Sequence, residues 1–149
     1  MGDDGIALYL LDAIKEQLSD DIAVQLWEDQ DALSVAAELL DIQTAIVIVD
    51  CADMGKKGGD CRWFKQSECH LGQHLNLLSS HGFGFADALA LAETLGFNQP
   101  LFFFAIQPEQ IDFNSEISST LQQQKDFIAC SLLAQVHELK QHLVAESVK

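Results

Sequence analysis

Thr44-Ala45-Ile46-Val47-Ile48-Val49-Asp50 is the stretch on which the fold turns. It is a β-branched apolar run with no polar alternation, and it stops at a carboxylate. A strand with one wet face alternates; a continuous apolar run must be covered on both faces. The run therefore reads as a central strand of an α/β sheet. Ligands of such sheets gather beyond the carboxyl ends of the strands, which makes Asp50 a candidate site residue.

The segments on either side fit that reading. Leu101-Phe-Phe-Phe-Ala-Ile106 is a second buried strand, closed by Gln107-Pro108. Ile22 to Trp27 reads as a short strand, and residues 61–65 as another. Residues 5–18 repeat apolar positions at Ile6, Leu10, Ile14 and Leu18, a helix that Asp3 or Asp4 would cap. Helices are also expected over 32–41 and over 84–95, the latter ending at Gly96. The last helix is expected from Ser119, with Gln122 completing a capping box. Met54 to Asp60 holds three glycines and reads as a loop, while Ser67 to Leu78 is ambiguous. Alternating strands and helices give a single domain over residues 1–149, three-layer α/β/α around a mostly parallel twisted sheet.

Composition narrows the function. The 149 residues are 48% apolar and carry 8 Lys and Arg against 23 Asp and Glu, a formal net charge of −15. Such a surface repels phosphate backbones and anionic lipid and favours a cation, a metal ion or a protein partner. There is no basic leader, the Met-Gly start lacks the Ser or Thr of a myristoylation signal, and the longest apolar run is too short for a bilayer. A cytoplasmic protein is expected. Cys51, Cys61, Cys69 and Cys130 show no C-x-x-C spacing and read as free thiols. Cys69, His70 and His74 form a weak zinc pattern.

No phosphate loop, H-E-x-x-H or G-x-S-x-G motif is present, and Gly82-Phe83-Gly84 is a lone G-x-G. Three segments stand out instead: Gly2-Asp3-Asp4-Gly5 before the first helix, Ile46 to Asp50, and Ser79-Ser80-His81-Gly82 before a later helix. Two carboxylates and an imidazole suit a borderline metal such as nickel or zinc and leave positions for substrate or water. Each also has an ordinary reading, Asp3 and Asp4 as helix caps, Asp50 as a turn cap, His81 as a satisfied loop histidine.

In this order the segments resemble the nickel-iron hydrogenase maturation endopeptidases. The matching pieces are Gly2-Asp3-Asp4-Gly5, then Ile48-Val49-Asp50-Cys51-Ala52-Asp53-Met54-Gly55, then Ser79-Ser80-His81, then Ala105-Ile106-Gln107-Pro108. Asp-Met-Gly and Ile-Gln-Pro look most like the subgroup serving formate-linked, cytoplasmic hydrogenases. The resemblance implies an aspartic-type endopeptidase whose nickel-contacting set is Asp4, Asp50 and His81. The implied substrate is the hydrogenase large-subunit precursor, already loaded with nickel, from which a C-terminal extension is cut. A water would attack, with Asp50 or Asp4 as general base and the substrate's nickel polarising the scissile carbonyl or binding the water. A monomer is expected.

The chain departs from that pattern in four places. Ala7 replaces a usual glycine, Glu28-Asp29-Gln30-Asp31 stands where a Gly-rich turn is common, and Gly58-Gly59 replaces Pro-Gly. Above all, the resemblance implies a first strand with a G-x-G-N loop ahead of Gly2, lying between the second and third strands. Its absence leaves the chain about one strand short, a strand averaging about 5–6 residues, and points to a Met1 internal to the true gene or to a divergent member. A non-catalytic pseudo-protease that chaperones the precursor is the alternative function. A small nucleotide-binding domain is a third, which the acidity disfavours.

Overall fold

The computed structural model describes residues 5–27, 30–68, 76–77, 85–109 and 116–147. Four helices, α1 (Ile6–Ile14), α2 (Ala32–Asp41), α3 (Phe85–Thr94) and α4 (Ser119–Ser147), surround four strands, β1 (Ile46–Asp53), β2 (Cys61–Lys65), β3 (Asn76–Leu77) and β4 (Leu101–Ile106). The strand order is β2-β4-β1-β3. The two apolar runs are neighbours and parallel, Ile46 opposite Leu101 through Cys51 opposite Ile106. β2 runs antiparallel to β4, and β3 antiparallel to the end of β1. The sheet is thus mixed where a mostly parallel one is expected. A parallel neighbour needs a crossover of a dozen or more residues, and the short loop after β1 returns the chain in the opposite direction.

Alternation along the strands sorts the core into two layers. Leu101, Phe103, Ala105 and Ala52 face α2 and α3, where Val35, Leu39, Ala88 and Ala92 meet them. Phe104, Ile106 and Cys51 face α1 and α4 against Ile6, Leu10, Leu121, Ile128 and Leu132. Phe103 is the pivot of the first layer: Phe64 stacks on it at 5.1 Å and Phe85 meets it edge-on at 5.8 Å. The three-layer α/β/α architecture follows from one fact of sequence, that Ile46–Val49 and Leu101–Ile106 are apolar at every position.

Helix ends obey local rules. Asp31 caps α2 by accepting from the Ser34 N–H at 2.7 Å. α3 ends as expected at Gly96, whose φ of 110° lets the Phe97 N–H reach back to the Ala92 carbonyl at 2.9 Å. The cap of α4 is Ser118 rather than Ser119, its Oγ accepting from the Leu121 N–H at 3.4 Å. Gly5 caps α1 without a side-chain bond; Asp3 and Asp4, expected there, lie outside the described residues.

Two expectations are corrected. Ile22 to Trp27 is not a strand but irregular chain, with Leu26 51% exposed. Ile46 to Asp50 is only partly buried, and β1 continues through Asp50 to Asp53. Both have one cause. β3 pairs only with Ala52 and Asp53, so among the described residues no strand lies beside Ile46–Val49 on the edge away from β4. A cavity of about 740 Å³ opens there instead.

Replacing Phe103 by Ala is expected to cost about 3–5 kcal/mol in urea unfolding. Phe127→Ala, at a side chain 74% exposed, should stay within about 0.5 kcal/mol.

Candidate functional site

Asp50 sits on β1 opposite Ala105 of β4. Ile48 and Ala52 share its face, the one covered by α2 and α3. Its side chain is half-buried, and Oδ1 accepts from the Cys51 N–H at 2.8 Å. The carboxylate therefore stands at the wall of the cavity, not in open solvent, with a local donor that holds its orientation.

The loop that follows is fixed from the end of β4. Gln107 is buried, 6% exposed, where an apolar strand meets Pro108. Its Oε1 accepts from the Met54 N–H at 2.6 Å and the Lys56 N–H at 3.3 Å. Its Nε2 donates to Asp53 Oδ1 at 3.2 Å and to the Pro108 carbonyl at 3.4 Å. The backbone completes the clamp: the Gly59 N–H donates to the Gln107 carbonyl at 2.8 Å, and the Gln107 N–H to the Asp60 carbonyl at 2.8 Å. Gly59 has φ of 92°, and a Cβ on Gly58 would fall 2.9 Å from Glu109 Cα, so both glycines are demanded by packing. Sequence reading missed this role of Gln107. The available signal was a buried-strand run ending in an amide, whose two ends can satisfy donors and acceptors of a facing loop.

Of the three expected nickel contacts, Asp50 is described; Asp4 and His81 lie outside the described residues, as do Cys69, His70 and His74 of the weak zinc pattern. Among the described residues no group of three or more His, Cys, Asp or Glu is placed to hold a metal ion. Neither Cys51 nor Cys61 offers a ready nucleophile. Cys51 is buried in the layer under α1 and α4. Burial, with a smaller push from Asp60, raises the Cys61 thiol to about 11, so it is protonated at neutral pH. Among the described residues no helix is long and apolar enough to cross a membrane.

With this geometry in hand, the comparisons are specific. The chain matches the hydrogenase maturation protease family over residues 31–135 and belongs to that family. It is an enzyme of the peptide-bond hydrolase class. Among solved structures it is similar to the hydrogenase maturating endopeptidase HybD from E. coli, with 16% identity, a TM-score of 0.70, and coverage of 93% of this chain and 86% of that one. It is likewise similar to an Escherichia coli endopeptidase solved in solution, with 17% identity, a TM-score of 0.72, and coverage of 92% and 85%. The [NiFe] hydrogenase maturation protease HybD from Thermococcus kodakarensis aligns at 20% identity with a TM-score of 0.67, over 91% and 90%. A search of curated proteins finds no significant match.

Gln107→Leu should leave the Met54 and Lys56 amides without their acceptor and cost about 1–3 kcal/mol. Hydrogen exchange will show faster exchange at those two amides than the global loss of stability explains. Alkylation at Cys61 should be slow at pH 8 and rise toward pH 11; mass mapping of the labelled thiols checks this.

Proposed function

We propose that this protein is the endopeptidase that removes the C-terminal extension of a nickel-loaded [NiFe]-hydrogenase large-subunit precursor. It recognises the precursor's nickel through Asp4, Asp50 and His81. The observation that carries the reading is a convergence: Ala7, Asp50 and Phe85, from α1, β1 and α3, all line one cavity. Asp4 precedes Ala7 by three residues and His81 precedes Phe85 by four. At the reach of an extended chain those tethers span at most about 11 and 14 Å.

The chemistry follows from what is present. The sequence carries none of the recognised nucleophile arrangements, so water is the nucleophile, and Asp50 or Asp4 takes its proton as general base. Nickel belongs to the substrate, where it polarises the scissile carbonyl or holds the water. A net charge of −15 favours approach of a metal-bearing partner and keeps nucleic acid away. The reaction is placed in the cytoplasm, with the protein acting as a monomer.

The test is an in vitro processing assay read by the mass of the large subunit. Nickel-loaded precursor should be shortened and nickel-free precursor left intact. Asp50→Asn should slow cleavage by about 10²-fold or more. Normal processing by that variant would remove Asp50 from the mechanism. Binding of the loaded precursor by the unaltered chain without cleavage would make it a non-catalytic chaperone instead.

A further inference from the structure

Lys56 and Lys57 stand apart from the other cations of this acidic chain. Lys15 pairs with Asp12 at 2.6 Å and Lys140 with Asp21 at 2.7 Å. Arg62 lies over the Phe64 ring at 5.5 Å, Lys65 over Phe102 at 5.8 Å and Lys125 over Tyr9 at 4.9 Å. Among the described residues, Lys56 and Lys57 alone of the Lys and Arg side chains meet neither a carboxylate nor an aromatic face, and both are exposed. Asp53, close by in the chain, is already taken: it accepts from the Gly55 N–H at 3.2 Å and from Gln107 Nε2 at 3.2 Å. In a chain with 23 Asp and Glu against 8 Lys and Arg, two adjacent lysines without an anion of their own call for one from outside.

The backbone that carries them is held. The Lys56 N–H donates to Gln107 Oε1 at 3.3 Å. The Lys57 carbonyl accepts from the Asp60 N–H at 3.0 Å, closing a β-turn whose third residue, Gly59, takes φ of 92°, a value that favours glycine. The two side chains thus project from a stem that need not be ordered on binding. That stem stands at the carboxyl end of β1, which runs on from Asp50 to Asp53. At a rise of about 3.3 Å per residue, the end of the strand lies about 10 Å beyond Asp50.

We propose that Lys56 and Lys57 are the docking point for an acidic segment of the polypeptide that this protein cuts. The partner's identity rests on the peptidase reading; its chemistry rests on charge. Two neighbouring ammonium groups match a short run of Asp or Glu. A nucleic-acid backbone would meet the repulsion of a chain whose net charge is −15. A small anion would need enclosing donors, and neither lysine lines the cavity. Carboxylates presented by a docked chain need only the exposed pair. An extended segment that reaches from the lysines back to Asp50 covers about three or four residues, so the acidic run lies that far from the scissile bond.

The experiment is the processing assay on nickel-loaded large-subunit precursor, with KM and kcat measured separately. Lys56→Glu/Lys57→Glu is expected to raise KM by about 10-fold or more and to keep kcat within about twofold, the signature of lost docking. Lys56→Ala/Lys57→Ala, which removes the attraction without adding repulsion, should raise KM about 3-fold and keeps the test open if the Glu pair lowers the melting temperature. Lys15→Glu/Lys65→Glu changes the net charge equally and should leave both constants unchanged. A carbodiimide, which joins an amine to a carboxylate in contact with it, should link Lys56 or Lys57 to Asp or Glu of the precursor, read by mass mapping. An unchanged KM in both loop variants overturns the proposal. So does an equal rise in the Lys15/Lys65 control, or an absence of links from the loop in a complex shown to form. In each of these cases cleavage by the unaltered chain leaves the peptidase reading standing. An unaltered chain that neither binds nor cuts the loaded precursor overturns both.

Discussion

The parallel pairing of Ile46–Cys51 with Leu101–Ile106 is the constraint on which everything else in this molecule depends. Two strands with continuous apolar runs, Ile46–Val49 and Leu101–Ile106, expose apolar side chains on both faces, so helices cover both. The chain supplies α2 and α3 for one layer and α1 and α4 for the other. A buried Phe or Ile contributes about 1.5–3 kcal/mol, and Phe103, Phe104 and Ile106 on β4 are all buried. Pairing also sets the geometry of the candidate site. It aligns Asp50 with Ala105 and brings Gln107, one residue past the end of β4, within hydrogen-bonding reach of the loop after β1.

The same pairing explains how differently the two edges of β1 are used among the described residues. β1 satisfies one edge with β4 and only its last two residues with β3. Among the described residues, Val47 and Val49 border a cavity on that side. Among the described residues no strand runs beside Ile22 to Trp27 either, and that segment keeps an irregular course. Asp50 at this edge holds a position that is walled but not sealed.

Much of this was legible in the residues. The continuous runs at Ile46–Val49 and Leu101–Ile106 declare neighbouring strands inside the sheet, the second buried and the first only partly so. Gly96 declares a helix end because φ of 110° is open to little else. The failures share a different origin: they concern features decided by a partner distant in sequence. Ile22 to Trp27 has the composition of a strand, but hydrogen bonds of a strand need a neighbour, and none stands beside it among the described residues. Ser118 and Ser119 look alike to a capping pattern, and packing of α4 selects the first. The Gln107 clamp exists only once β1 and β4 lie in register, which no local pattern encodes. Asp50 was legible as the carboxylate closing an apolar run; the hold of Gln107 on the loop after it was not.

The central claim is that Asp4, Asp50 and His81 reach the nickel carried by the precursor. X-ray absorption at the nickel edge, recorded on the loaded precursor alone and with one equivalent of this protein, tests it directly. The account predicts oxygen and nitrogen scatterers added to the sulfur ligands on complex formation, and their loss when Asp4, Asp50 and His81 are replaced together. A nickel spectrum unchanged in a complex shown to form would contradict it.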